Sequence, residues 1–294
     1  MGRPFRRESE RRQIARPSYG GEREPDSHPI PGPPTFVQSA RELPPCIAGW
    51  APRSSPGVVR FLGRFLLVQL ADLPVEADVS TGIWISSGRR RGEPGTVGSI
   101  VPAVFEAYAR ILHPAVRYAG DDDVEVPWSD VAAHNGTVVH PLVQWDALTR
   151  GPVEAQPPVW DDGPSEGHLP VALAGRLARV LGRHTTTPEN CLLGRWDGFG
   201  YDVPDPNDPP RLLLRGGHDV VLVRGSVTDA VRNLAPEPHE QSANLWWPAD
   251  RSWCVVTDID LITTYVGGSA GCIAELLATP GLEAHPATPD DPLR

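Results

Sequence analysis

Apolar residues recur at i, i+4, i+7 and i+8 over residues 169–181, where Leu173, Leu177, Val180 and Leu181 lie opposite Arg176, Arg179 and Arg183. That period predicts an amphipathic helix with Pro170 near its start. Short apolar or β-branched runs predict strands at residues 191–196, 211–214, 220–224, 252–259 and 263–266. Turn signals such as Asp197-Gly198 and Pro248-Ala249-Asp250-Arg251 separate them. Ser269 is the predicted N-cap of a last helix through Leu277, and residues 283–285 are a predicted edge strand. Earlier in the chain, residues 79–86 alternate loosely, predicting a strand that leads into the basic turn Arg89-Arg90-Arg91. Val104, Phe105, Tyr108, Ile111 and Leu112 fall at helical spacing between Pro102 and Pro114, predicting a helix there. Residues 128–133 and 140–148 predict short helical turns, residues 151–167 a long loop, and residues 58–70 either a strand or a short helix. With helices early and strands late, the expected class is α+β, with helices mainly from the first half packed on a mostly antiparallel sheet from the second.

Composition sets the outer boundary. Residues 1–57 hold 11 Pro and 6 Gly, too many for a packed core, so the chain divides into a disordered Pro/Arg-rich leader, 1–57, and a single globular domain, 58–294. A true start of translation between Val58 and Val75 would draw the line in the same place. The net charge of −10 splits unevenly: residues 1–64 carry 11 Arg against 6 acidic groups, and the remainder 16 Arg against 31. So acidic a domain repels phosphate backbones, which disfavours nucleic acid as a partner of the folded part. No run reaches the ~18 apolar residues of a membrane span, so no membrane partner is expected. Cys46, Cys191, Cys254 and Cys272 are too scattered for a disulfide framework or a zinc knuckle. Together these features predict a cytoplasmic protein with reduced thiols.

Catalytic templates are missing. There is no P-loop, no GxGxxG after a strand, no HExxH and no GxSxG, so no cofactor is expected and no catalytic residue is assigned. The most unusual stretch runs from Asn244 to Cys254, where Trp246, Trp247 and Trp253 flank a turn carrying Asp250 and Arg251. Strand alternation sends Trp246 and Trp247 to opposite faces, so one of them is expected to face outward. With Trp196 and Asp197 of the neighbouring turn, they would form an aromatic contact surface; the competing reading buries both rings in a two-sided sheet. Asp258 and Asp260 share one face of a predicted strand at ~7 Å, a spacing that suits an acid/base pair or a metal. With no third ligand such as a nearby His on the same element, no metal is assigned.

Several segments look familiar together: Gly-Thr-Val-Gly-Ser at 95–99, Ala-Arg-Ile-Leu-His-Pro at 109–114, Val-His-Pro-Leu-Val-Gln-Trp at 139–145, Thr-Thr-Pro-Glu-Asn-Cys at 186–191, Trp-Asp-Gly-Phe-Gly at 196–200, the tryptophan stretch itself, and Tyr-Val-Gly-Gly-Ser at 265–269. Over residues 72–294 the chain resembles a group of uncharacterised actinobacterial cytoplasmic proteins, a resemblance that implies no activity. In size and α+β layout alone it is also similar to SUKH-type immunity proteins, which bind other proteins. The leading expectation is therefore a non-catalytic interaction module with another protein as partner. The alternative is a small-molecule enzyme using Asp258, Asp260 or Asp197 as acid/base, with Arg195 or Arg251 holding an anionic substrate.

Overall fold

The structure, a computed structural model, describes residues 69–119, 122–149, 159–199, 208–214, 218–236 and 239–293. The expected leader, most of the 58–70 segment, half of the 151–167 loop and Cys46 lie outside the described residues. The chain begins with a hairpin of β1 (Gln69–Leu70) and β2 (Leu73–Pro74), followed by a 3-10 turn at Val79–Gly82 that runs into α1 (Ile83–Gly88). Then come α2 (Val97–Ile100), β3 (Ala107–Leu112), the hairpin β4 (Ala115–Ala119) and β5 (Asp122–Val126), α3 (Trp128–Asn135) and α4 (Trp145–Leu148). The second half supplies α5 (Val171–Leu181), β6 (Cys191–Trp196), β7 (Arg211–Leu212), β8 (Val220–Gly225), β9 (Leu245–Pro248), β10 (Cys254–Thr257), β11 (Thr263–Gly268), α6 (Ala270–Leu277) and β12 (Ala284–Ala287).

Eight strands form one sheet in the order β12-β3-β11-β10-β9-β6-β8-β7, and every neighbouring pair is antiparallel. The class is α+β, with most of the sheet drawn from the second half. Two predicted elements are overturned. The helix expected after Pro102 is instead β3, hydrogen-bonded to β11 on one side and β12 on the other. Being covered on both faces, β3 is almost wholly buried, and such a strand loses its alternation and reads as a continuous apolar run. The strand expected over residues 79–86 is a helical turn, started by Asp78, whose side chain accepts from the Ser80 N–H at 3.0 Å. Only its inner side is buried, at Ile85, while Ile83 faces solvent. Of the 140–148 segment, only Trp145–Leu148 is α-helical.

Each face of the sheet is covered. On one, α5 and α6 lay Leu173, Leu177, Leu181, Ile273 and Leu276 over Ile111, Leu193, Val223, Trp246, Val255 and Val266. On the other, Ile85, Val97, Ile100 and Val101 of the α1–α2 segment lie over Leu192, Leu222, Leu245, Trp247, Cys254 and Tyr265. Trp246 and Trp247 do point to opposite faces, and both faces are core. The glycine pair before α6 serves the same packing: a Cβ at Gly267 would stand 2.4 Å from the Phe105 ring, and the Glu106 carboxylate accepts from the Ala270 N–H at 2.9 Å.

Candidate functional site

The ends of four strands meet at one edge of the sheet, as the registers Val256↔Leu245, Gly194↔Leu245 and Trp196↔Val220 require. Asn244 holds this edge together. Its Nδ2 donates to the carbonyls of Gly167 (3.1 Å) and Thr257 (3.2 Å), and its Oδ1 accepts from the Trp196 N–H (3.0 Å) and the Gln241 amide (2.8 Å). Just past β10, Asp258 turns the chain by accepting the Asp260 N–H on Oδ1 at 3.1 Å. His218, immediately before β8, reaches across so that its Nδ1 stands 3.1 Å from Asp258 Oδ2. Trp196 lies edge-on to that imidazole, with ring centroids 6.4 Å apart.

The α1–α2 layer supplies the opposite wall. Gly88, with no Cβ to strike Pro102, ends α1 and is followed by Arg89 in extended conformation. A cavity of about 550 Å³ opens between the two walls, lined by the charged or titratable groups Arg89, Arg90, His218, Asp258 and Asp260. Ile100, Leu261 and Leu293 give it an apolar side, and a narrow cleft continues inward past Arg89 toward Trp196 and Val256. This size and mixture suit a small molecule.

Arg89 is the anomaly. It is 7 % exposed, its Nε has no hydrogen-bond partner, and its guanidinium forms no ion pair with any described residue. The other buried arginines also have an unbonded Nε but find acceptors for their terminal nitrogens: Arg110 donates through Nη1 to the carbonyls of Pro141 and Val143, and Arg195 donates to the Leu234 carbonyl, while the half-buried Arg90 pairs with Glu93 and Asp290. Burial lowers the Arg89 pKa from the usual guanidinium value, against the pull of Asp258. Burial also works to raise the Asp258 pKa, but the hydrogen bonds from His218 and the Asp260 amide outweigh it and hold the carboxyl below its usual range. The hydrogen bond to Asp258 raises the His218 pKa in turn. Cys254, pushed up to about 12 by complete burial, stays a thiol and is no nucleophile at neutral pH.

The residues singled out from sequence scatter. Trp246, Trp247 and Trp253 are 0–1 % exposed, so the expected aromatic contact surface does not form; the layer over residues 79–101, whose covering role the sequence pattern hides, seals the second face. Asp250 is a structural cap at the β9–β10 turn, accepting from the hydroxyls of Thr185 and Thr186 and the amides of Thr186 and Ser252. Arg251, at φ 58°, stands 5.5 Å over the Trp84 ring, away from the cavity. Asp197 pairs with Arg195 and Arg211, so neither Asp197 nor Arg195 meets the Asp258 cluster. Trp196 alone of the proposed aromatic set borders the cleft. Arg89 and His218 were missed as site residues: the first was visible only as part of a basic turn, and the second joins Asp258 through three successive strand pairings, β8–β6, β6–β9 and β9–β10. His218 is also the third group whose lack argued against a metal: one ligand atom from each of His218, Asp258 and Asp260 lie within 4.8 Å of one another.

Asp250 gives a pH prediction with a definite sign. Burial works to raise its pKa, but the bonds from Thr186 and Ser252 prevail and lower it from 3.8 to about 2. A depressed carboxylate contributes stability above its unfolded pKa and loses it as pH falls toward the folded one. Urea midpoints measured from pH 5 to pH 2.5 are therefore expected to fall more steeply for the native chain than for Asp250→Asn; equal slopes would remove this role.

No protein-family model, curated protein or solved structure matches this chain. Among the described residues, no helix is long and apolar enough to cross a membrane.

Proposed function

We propose that this protein binds, and acts upon, a small molecule bearing an oxyanion, with Arg89 holding the anion and the His218–Asp258–Asp260 cluster facing the group to be transformed. The observation that carries the reading is the buried guanidinium. No described group accepts from this largely buried guanidinium, and a carboxylate or phosphate in the adjoining cavity supplies the missing acceptors in bidentate form. Carboxylates and an imidazole within reach of the same space support chemistry as well as binding, since proton transfer and polarisation both need such groups beside the substrate.

The reading is tested by calorimetric titration of the full chain with orthophosphate, acetate and benzoate. At least one is expected to bind the native protein, and Arg89→Met to abolish that binding while Arg91→Ala, outside the cavity, retains it. Arg89→Met is also expected to raise Tm by roughly 2–4 °C, because methionine fills the space without an unpaired charge. Equal anion affinity in native and Arg89→Met protein would overturn the proposal.

A further inference from the structure

We infer that His218, Asp258 and Asp260 form a divalent-cation site, and that the cation and Arg89 together clamp the oxyanion of the ligand. This rests on the preceding reading of the cavity and specifies how the anion is held.

Around an ion with bonds of about 2.1 Å, neighbouring ligand atoms stand roughly 3.0–3.4 Å apart in octahedral or tetrahedral arrangement. His218 Nδ1 and Asp258 Oδ2 are 3.1 Å apart and meet that spacing, while an Asp260 carboxylate oxygen lies within 4.8 Å of both and joins them by a side-chain adjustment. It is the one group of three such ligands found among the described residues. The Asp258 turn fixes two of the three: its Oδ1 is committed to the Asp260 amide, which leaves Oδ2 directed at His218. Two hard oxygens and one imidazole nitrogen suit Mg²⁺, Mn²⁺, Fe²⁺ or Zn²⁺ and exclude the thiolate-seeking metals.

The unpartnered Arg89 side chain, more than nine-tenths buried, lines the same cavity and marks it for an anion. Yet Asp258 and Asp260 line it too, and their negative charges repel an incoming oxyanion. A divalent ion between them reverses the sign of that wall and leaves open coordination positions toward the cavity. A phosphate or carboxylate bridging the ion and the guanidinium then satisfies both walls at once, an arrangement also suited to charge that develops on oxygen during reaction.

Mn²⁺ alone is the probe. After chelator treatment and desalting, the full chain is titrated with Mn²⁺ and the free aqua-ion signal followed by electron paramagnetic resonance. One ion per chain is expected to bind, with affinity reduced at least about tenfold in Asp260→Asn and in His218→Ala. Asp146→Asn, at an exposed position of α4 that does not line the cavity, is expected to bind as the native chain does, and melting curves establish that each variant is folded. An undiminished free Mn²⁺ signal with native protein, or native affinity in folded Asp260→Asn, overturns the inference. Orthophosphate separates this from the reading beneath it. Phosphate bound through Arg89 equally well with and without Mn²⁺ overturns the clamp and keeps the anion site; Mn²⁺ bound with no anion affinity in any condition keeps the cation and removes both the clamp and the anion reading.

Discussion

Trp246→Ala is expected to lower the unfolding free energy by about 3–5 kcal/mol, the usual cost of emptying a large aromatic from a core. The indole has no exposed surface; its ring meets Trp253 edge-on at a centroid distance of 5.3 Å, and α5 lies above it. Trp253 cannot collapse into the vacated space, because its own Nε1 is tied to the Leu181 carbonyl at 3.0 Å. The Trp246 Nε1 has no partner, so no hydrogen bond is lost and the penalty is one of volume and apolar area. Equilibrium urea unfolding at constant m-value measures it. A loss below about 1 kcal/mol would place the ring at a surface and restore the contact-surface reading.

Asn244→Ala is expected to cost about 2–4 kcal/mol and to weaken ligand binding as well. The side chain is 5 % exposed and makes four hydrogen bonds, so alanine strands two carbonyls, the Trp196 amide and the Gln241 side chain in a place water reaches poorly. Those partners border the site: Thr257 precedes Asp258, and Trp196 lies edge-on to His218. Hydrogen exchange at the Trp196 amide, which loses its acceptor, is the direct measurement, with faster exchange expected there in the variant while β11 stays protected. Unchanged protection would show that the strand ends hold without the amide hub.

How far the pattern of residues reached depended on the range of the interactions involved. The α5 stripe, the Ser269 cap of α6, the β9–β10 turn and the edge strand β12 are written in signals a few residues long, and all appear where expected. Segment 107–112 was misread because burial on both faces erases the period that separates strand from helix. The tryptophans were misjudged for a related reason. Alternation correctly sent Trp246 and Trp247 to opposite faces, but whether a face meets water depends on a layer contributed 150 residues earlier.

By itself, then, the sequence determined the α+β class and the helices and strands with strong local periodicity, but it placed Asp258 and Asp260 on one face of a strand where the structure has a turn just past β10. Only the tertiary structure decided that both sheet faces are core, that His218 joins those carboxylates, and that Arg89 is buried without a partner. Local propensity and capping act over one or two turns of chain, whereas burial and the meeting of charges are set by strand order, which brings together residues from 89 to 260 that no short-range pattern connects.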